Sequence, residues 1–166
     1  FGYIDGIAKA GRVWNDVPYP LLIIPSANLS YTIQKESFAL MSPMEFVADT
    51  YASWEATYYM NGLIFNRLPL IQRLGWREVI DFKGFYGNLR PNNMPNTHDS
   101  NGLYLFPVQT YTTQSQQATT PPYMELSFGI ENIFKILEID YVRRLTYCDT
   151  PGINKHGVRL RLHLQF

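Results

Sequence analysis

Successive side chains of an extended strand point to opposite faces, so a strict two-residue alternation commits a segment to a sheet with one apolar and one polar surface. Val158, Leu160, Leu162, Leu164 and Phe166 alternate in this way with Arg159, Arg161, His163 and Gln165. In 46–60 the even positions carry Phe46, Ala48, Ala52, Trp54, Ala56, Tyr58 and Met60, and the odd ones include Asp49, Ser53, Glu55 and Thr57. In 123–132, Met124, Leu126, Phe128 and Ile130 oppose Glu125, Ser127 and Glu131. Parity is exchanged in 138–149, where Ile139, Tyr141, Leu145 and Tyr147 oppose Glu138, Asp140 and Arg144, and Arg143 sits on the wrong side. The segment 76–88 follows the rule except at Glu78, and 1–14 is the poorest case, with Arg12 among Ile4, Ala8, Ala10 and Trp14. Six strands and an all-β antiparallel fold are expected.

Segments of this length match the roughly 9 to 11 residues that a tilted strand needs to cross a bilayer. The apolar stretch 21–24 runs four residues before Pro25, far short of the roughly 18 that mark a membrane-crossing helix. Two architectures fit the alternation. In a transmembrane barrel the apolar face meets lipid; in a soluble antiparallel β-sandwich, binding carbohydrate or protein through Tyr-rich loops, it meets a second sheet. Connection lengths favour the barrel, whose strands are joined by short turns at one rim and long loops at the other. The connections 15–45, 89–122 and 149–155 fall at one end; 61–75 and 133–137 fall at the other. In 61–75, Ile64, Leu68 and Ile71 at helical spacing fit a short bent helix at the interface, or a loop tucked into the barrel mouth. The run 110–120 is rich in Gln and Thr, a composition that solvates well and packs badly.

A strand that ends on Phe166 resembles the C-terminal strand of bacterial outer-membrane barrels, where the terminal aromatic belongs to an insertion signal. The matching residues are Leu160, Leu162, Leu164 and Phe166. A broader resemblance rests on Phe38 to Met41, Phe46 to Asp49, the run Asn61-Gly62-Leu63-Ile64-Phe65-Asn66-Arg67-Leu68-Pro69-Leu70, Trp76-Arg77-Glu78-Val79, Gly129 to Phe134 and Asp140 to Tyr147. These stretches resemble the C-terminal barrel region of a Bacteroidota outer-membrane family whose members carry an N-terminal carboxypeptidase-regulatory-like domain. The resemblance implies that residues 1–166 are the C-terminal part of a barrel domain, with long extracellular loops and an upstream portion outside this chain. It implies location in the bacterial outer membrane, and as partners outer-membrane lipid, the barrel-assembly machinery and other outer-membrane proteins. It brings no catalytic residue.

Charge is balanced, with 14 Lys plus Arg against 14 Asp plus Glu, so the basic footprint of a nucleic-acid binder is missing. On the barrel reading, Asp49, Glu55, Arg77, Lys83, Glu125, Glu131, Arg144, Arg159 and Arg161 face the lumen and supply counter-charges across neighbouring strands. The pairs Glu125 with Glu131 and Asp49 with Glu55 share a face, but six residues of strand separate each pair by roughly 20 Å, too far for acid/base partnership. His98 has no second His nearby, His163 reads as a hydrogen-bonding residue of the polar face, and Cys148 is a lone thiol. The expectation is a non-enzymatic protein without cofactor or metal, acting in transport across the outer membrane or in its assembly and maintenance.

Overall fold

A computed structural model describes residues 2–93, 118–149 and 152–162. The chain is all-β: β1 (Tyr3–Arg12), β2 (Thr50–Tyr59), β3 (Arg77–Asn88), β4 (Ala118–Ile133), β5 (Leu137–Arg144) and β6 (His156–Leu162). These form one antiparallel sheet in sequence order, with β1 and β6 as its two edges. Among the described residues the only helices are single 3-10 turns, at Tyr19–Leu21, Phe65–Arg67, Gln72–Leu74 and Pro91–Asn93. The connections 60–76 and 134–136 lie at one end of the sheet, here the turn end, and those joining β1 to β2, β3 to β4 and β5 to β6 lie at the other, the loop end. His98, His163, Leu164 and Phe166, and the run 110–117, lie outside the described residues.

All six segments with two-residue alternation lie on strands, with three adjustments at their ends. β2 starts at Thr50 rather than at residue 46, because Phe46, Val47 and Ala48 are fully buried and Ala48 pairs with Ile23 instead of with a sheet neighbour. β4 starts at Ala118, inside the stretch expected to be loop, and β5 ends at Arg144. Arg143 is not displaced by a bulge. The register of β5 against β4 is regular there, so Arg143 stays on the apolar face near the loop end, opposite His156.

Glu78 breaks the alternation for a local reason. Its Oε1 accepts the backbone N–H groups of Ile64, at 3.1 Å, and of Phe65. It thereby satisfies donors that a helical turn leaves open at its start. The connection holds two short 3-10 turns, on either side of Pro69, rather than one bent helix.

Among the described residues, one face of the sheet is covered and the other is bare. Residues 13–49, which include the connection 15–45 expected as an outer loop, instead fold back across the sheet as a strap. Ile23 and Ala48 exchange backbone hydrogen bonds at 2.8 and 2.9 Å, and the strap closes on itself where Asn28 N donates to Phe38 O. At its far end the strap reaches the edge strand: Leu160 N donates to Tyr31 O at 2.7 Å, and Ile33 N to Leu160 O at 2.8 Å. Near the loop end, Phe38, Met41 and Phe46 of the strap pack on Phe85 and Tyr123 of the sheet, with the Phe38 and Tyr123 rings edge to face at 5.4 Å.

The opposite face carries no strap. Gly84 of β3 lies under the Trp54 indole of β2, where a Cβ would stand 2.1 Å from the ring. Only glycine lets the indole lie flat across the neighbouring strand.

Candidate functional site

Alternation puts the charged side chains on one face, and strand register decides which of them become neighbours. Glu55, Lys83, Glu125 and Arg144 stand opposite one another in a single row across β2, β3, β4 and β5. Their signs alternate, the arrangement that cross-strand pairing favours. A second row runs through Thr57, Asp81, Ser127 and Val142. Toward the β6 edge, Asp140 faces Arg159 and Glu138 faces Arg161.

Despite their charge these groups lie under the strap. Glu125 retains 2% of its surface and Arg144 1%; Glu55, Glu138 and Asp140 are also buried. A buried charge is tolerated only when paired and hydrogen-bonded. The strap supplies much of that pairing through its backbone. Glu125 accepts the N–H groups of Ala39, at 2.9 Å, and Leu40, at 2.7 Å, and the hydroxyl of Tyr123. Both of its carboxylate oxygens are thus engaged in holding strap. Lys83 Nζ donates to the carbonyls of Gln34 and Ser37, and pairs with Glu55 at 3.2 Å and Asp81 at 3.6 Å. Arg144 binds Glu45 through two nitrogens, donates to Leu40 O and lies over the Tyr123 ring at 4.7 Å. Arg159 donates to Ala39 O, and Arg161 pairs with Glu138 at 3.1 Å. The Glu55 carboxylate accepts Glu36 N at 2.8 Å.

Three residues expected on this face lie away from the central rows. Asp49 is buried at the loop end, just before β2, where its Oδ2 accepts Arg90 N, Arg90 Nε and Asn93 Nδ2. Arg90 in turn donates to the carbonyls of Val13, Trp14 and Asn15, so the cluster clamps the start of the strap. Arg77 is exposed and Glu131 half-buried; they face each other at the turn end, beside the bulge in β4. Glu45, Arg90, Glu138 and Asp140 complete the network. Glu45 and Arg90 lie outside the alternating segments, and no local signal marks them as partners of Arg144 and Asp49.

Burial pushes the Asp49 carboxyl up, but the Arg90 amide, the Asn93 amide, the Arg90 guanidinium and the Thr50 hydroxyl together outweigh it and hold it below the ordinary carboxylate value. A depressed folded-state pKa contributes stability that is present above the unfolded value and is lost as pH falls through the folded one. Asp49→Asn is therefore expected to cost about 1.5–3 kcal/mol at neutral pH, the scale of a charged hydrogen-bond cluster. In urea unfolding titrations the gap from wild type should begin to narrow as pH drops below about 4 and close only below the depressed folded-state value. A gap independent of pH would remove the charge from the explanation.

The uncovered face is apolar. Leu126 is 40% exposed, Phe128 43%, Leu160 41% and Leu162 67%, and Tyr141, Leu145 and Val158 are exposed beside them. No family model, curated protein or solved structure matches the chain.

Proposed function

We propose that the chain is the C-terminal part of an outer-membrane β-barrel, a non-enzymatic protein that acts in transport across the outer membrane or in its assembly and maintenance. One observation carries this reading: the sheet buries its charges and bares its hydrocarbon. Water favours the reverse, and contiguous apolar patches of this kind are rare on soluble monomers. Hydrocarbon solvent makes the arrangement favourable, with apolar side chains outward and charged ones inward. A sandwich that used this sheet as half of its core would need a second sheet over Leu126, Phe128 and Leu160, and no described strand supplies one.

Open backbone groups on an edge strand would be costly in lipid; the strap meets β6 at Leu160, but no described strand pairs with the outer edge of β1, so a barrel built on this sheet needs further strands. Upstream strands implied by the family resemblance supply them on this reading. The Glu125, Lys83 and Arg144 rows then face the lumen, with the strap inside it. Assembly depends on the barrel-assembly machinery, and outer-membrane lipid is the direct partner of the apolar face.

The full-length protein, expressed with its upstream region in a Gram-negative host, is expected in the detergent-extracted outer-membrane fraction, with gel mobility that changes on heating. Recovery as a soluble monomer would overturn the proposal. Co-purification with stable outer-membrane partners would assign the work to a complex.

A further inference from the structure

The turn end differs in chemistry from the rest of the molecule. The connection 61–77 contains Arg67, Arg73 and Arg77, all exposed, and no acidic residue; the β4–β5 turn adds exposed Lys135. The nearest carboxylate along the chain, Glu78, is fully buried and holds the backbone of Ile64 and Phe65, and across the strand pair half-buried Glu131 stands opposite Arg77. Among the described residues, no ion pair involves Arg67, Arg73, Arg77 or Lys135. Between these cations stand bare apolar side chains: Leu68, Leu70 and Leu74 from one connection, Phe134 and Ile136 from the other, with Leu70 and Phe134 each 83% exposed.

The two connections form one surface, because Asn132 Nδ2 at the β4–β5 turn donates to Gly75 O at 2.6 Å. Between them lies an open crevice of about 460 Å³ lined by Asn61, Asn66, Gly75, Arg77 and Asn132. Side-chain amides and a guanidinium are donors suited to a phosphodiester.

From this we infer that the turn end is a collar for an anionic phospholipid leaflet: Arg67, Arg73 and Lys135 lie at the phosphate level, the leucines and Phe134 enter the acyl boundary, and the Arg77 crevice receives a headgroup. The inference rests on the barrel reading and adds the leaflet chemistry at one rim. Charge complementarity selects the occupant. A protein partner would need a matching acidic and apolar surface, whereas an anionic leaflet offers negative charge beside hydrocarbon over the whole rim.

The test uses the full-length protein reconstituted in vesicles of phosphatidylcholine alone or of phosphatidylcholine mixed with phosphatidylglycerol. The temperature at which the folded, heat-modifiable band is lost is the readout. Phosphatidylglycerol is expected to raise it. The variant Arg67→Gln/Arg73→Gln/Lys135→Gln should lose more than half of that increment while keeping the phosphatidylcholine midpoint, and Arg77→Gln alone should lose part of it. An increment of unchanged size in the triple variant, or none in wild type, overturns the collar and leaves the barrel standing. An equal increment from inorganic phosphate added to phosphatidylcholine vesicles also overturns it, since a free anion would then suffice. Failure of the wild-type protein to enter either vesicle removes the barrel reading and the collar with it.

Discussion

Leu126→Arg is expected to abolish assembly of the full-length protein into the outer membrane. Leu126 stands at mid-length on β4, a central strand, opposite Phe82 of β3 and Arg143 of β5, and points away from the strap. If hydrocarbon covers that face, an arginine there costs up to about 2–4 kcal/mol near mid-bilayer, and it adds a second cation directly beside Arg143. If water covers it, arginine at a site already 40% exposed should change stability by no more than about 0.5 kcal/mol. The two solvents thus predict opposite outcomes for one substitution. Asn154→Arg, at an exposed position between β5 and β6, should assemble normally under either reading. Quantifying folded protein in the outer-membrane fraction decides the matter. Normal assembly of Leu126→Arg would mean that hydrocarbon does not meet this face.

The second large effect belongs to the other side of the sheet. Arg144→Met is expected to destabilise the fold by about 3–5 kcal/mol, because it leaves Glu45 buried without its cation. Arg144 and Glu45 side chains are 0% and 3% exposed, so water does not readily replace the lost partner. Glu125 loses its cross-strand counter-charge but no hydrogen bond, since its oxygens are held by Ala39, Leu40 and Tyr123. The double variant Arg144→Met/Glu45→Met should recover much of the deficit, because replacing both ions with apolar side chains removes the stranded charge along with its partner. Urea unfolding in detergent of wild type, Arg144→Met, Glu45→Met and the double variant measures the coupling. Losses that simply add would show that the pair is not coupled and that the strap is anchored elsewhere.

The same contrast shows what could be read from residue order. Side-chain direction in a strand is a local property with a period of two, so a window of ten residues suffices to identify a strand and divide its faces. Leu126 and Glu125 are separated in that way, as are Leu160 and Arg159. Exceptions to the period have tertiary causes. Glu78 is on the apolar parity because it binds the backbone of a connection folded against it, and Phe46 to Ala48 look like strand but are held by Ile23 and the aromatic cluster.

Alternation along the chain established that these strands have one charged face and one apolar face, and that the connections alternate between short and long. It could not establish which face the rest of the chain covers. That depends on the strap, whose anchors Glu45 and Arg144 are 99 positions apart. Ala39 and Leu40, moreover, contribute peptide groups that every residue but proline possesses. Periodicity is blind to such contacts, because they arise from the path of the backbone through space and not from the order of side chains. Only the folded sheet, with its charges roofed by the strap and its leucines left open, decides which of the two faces is covered.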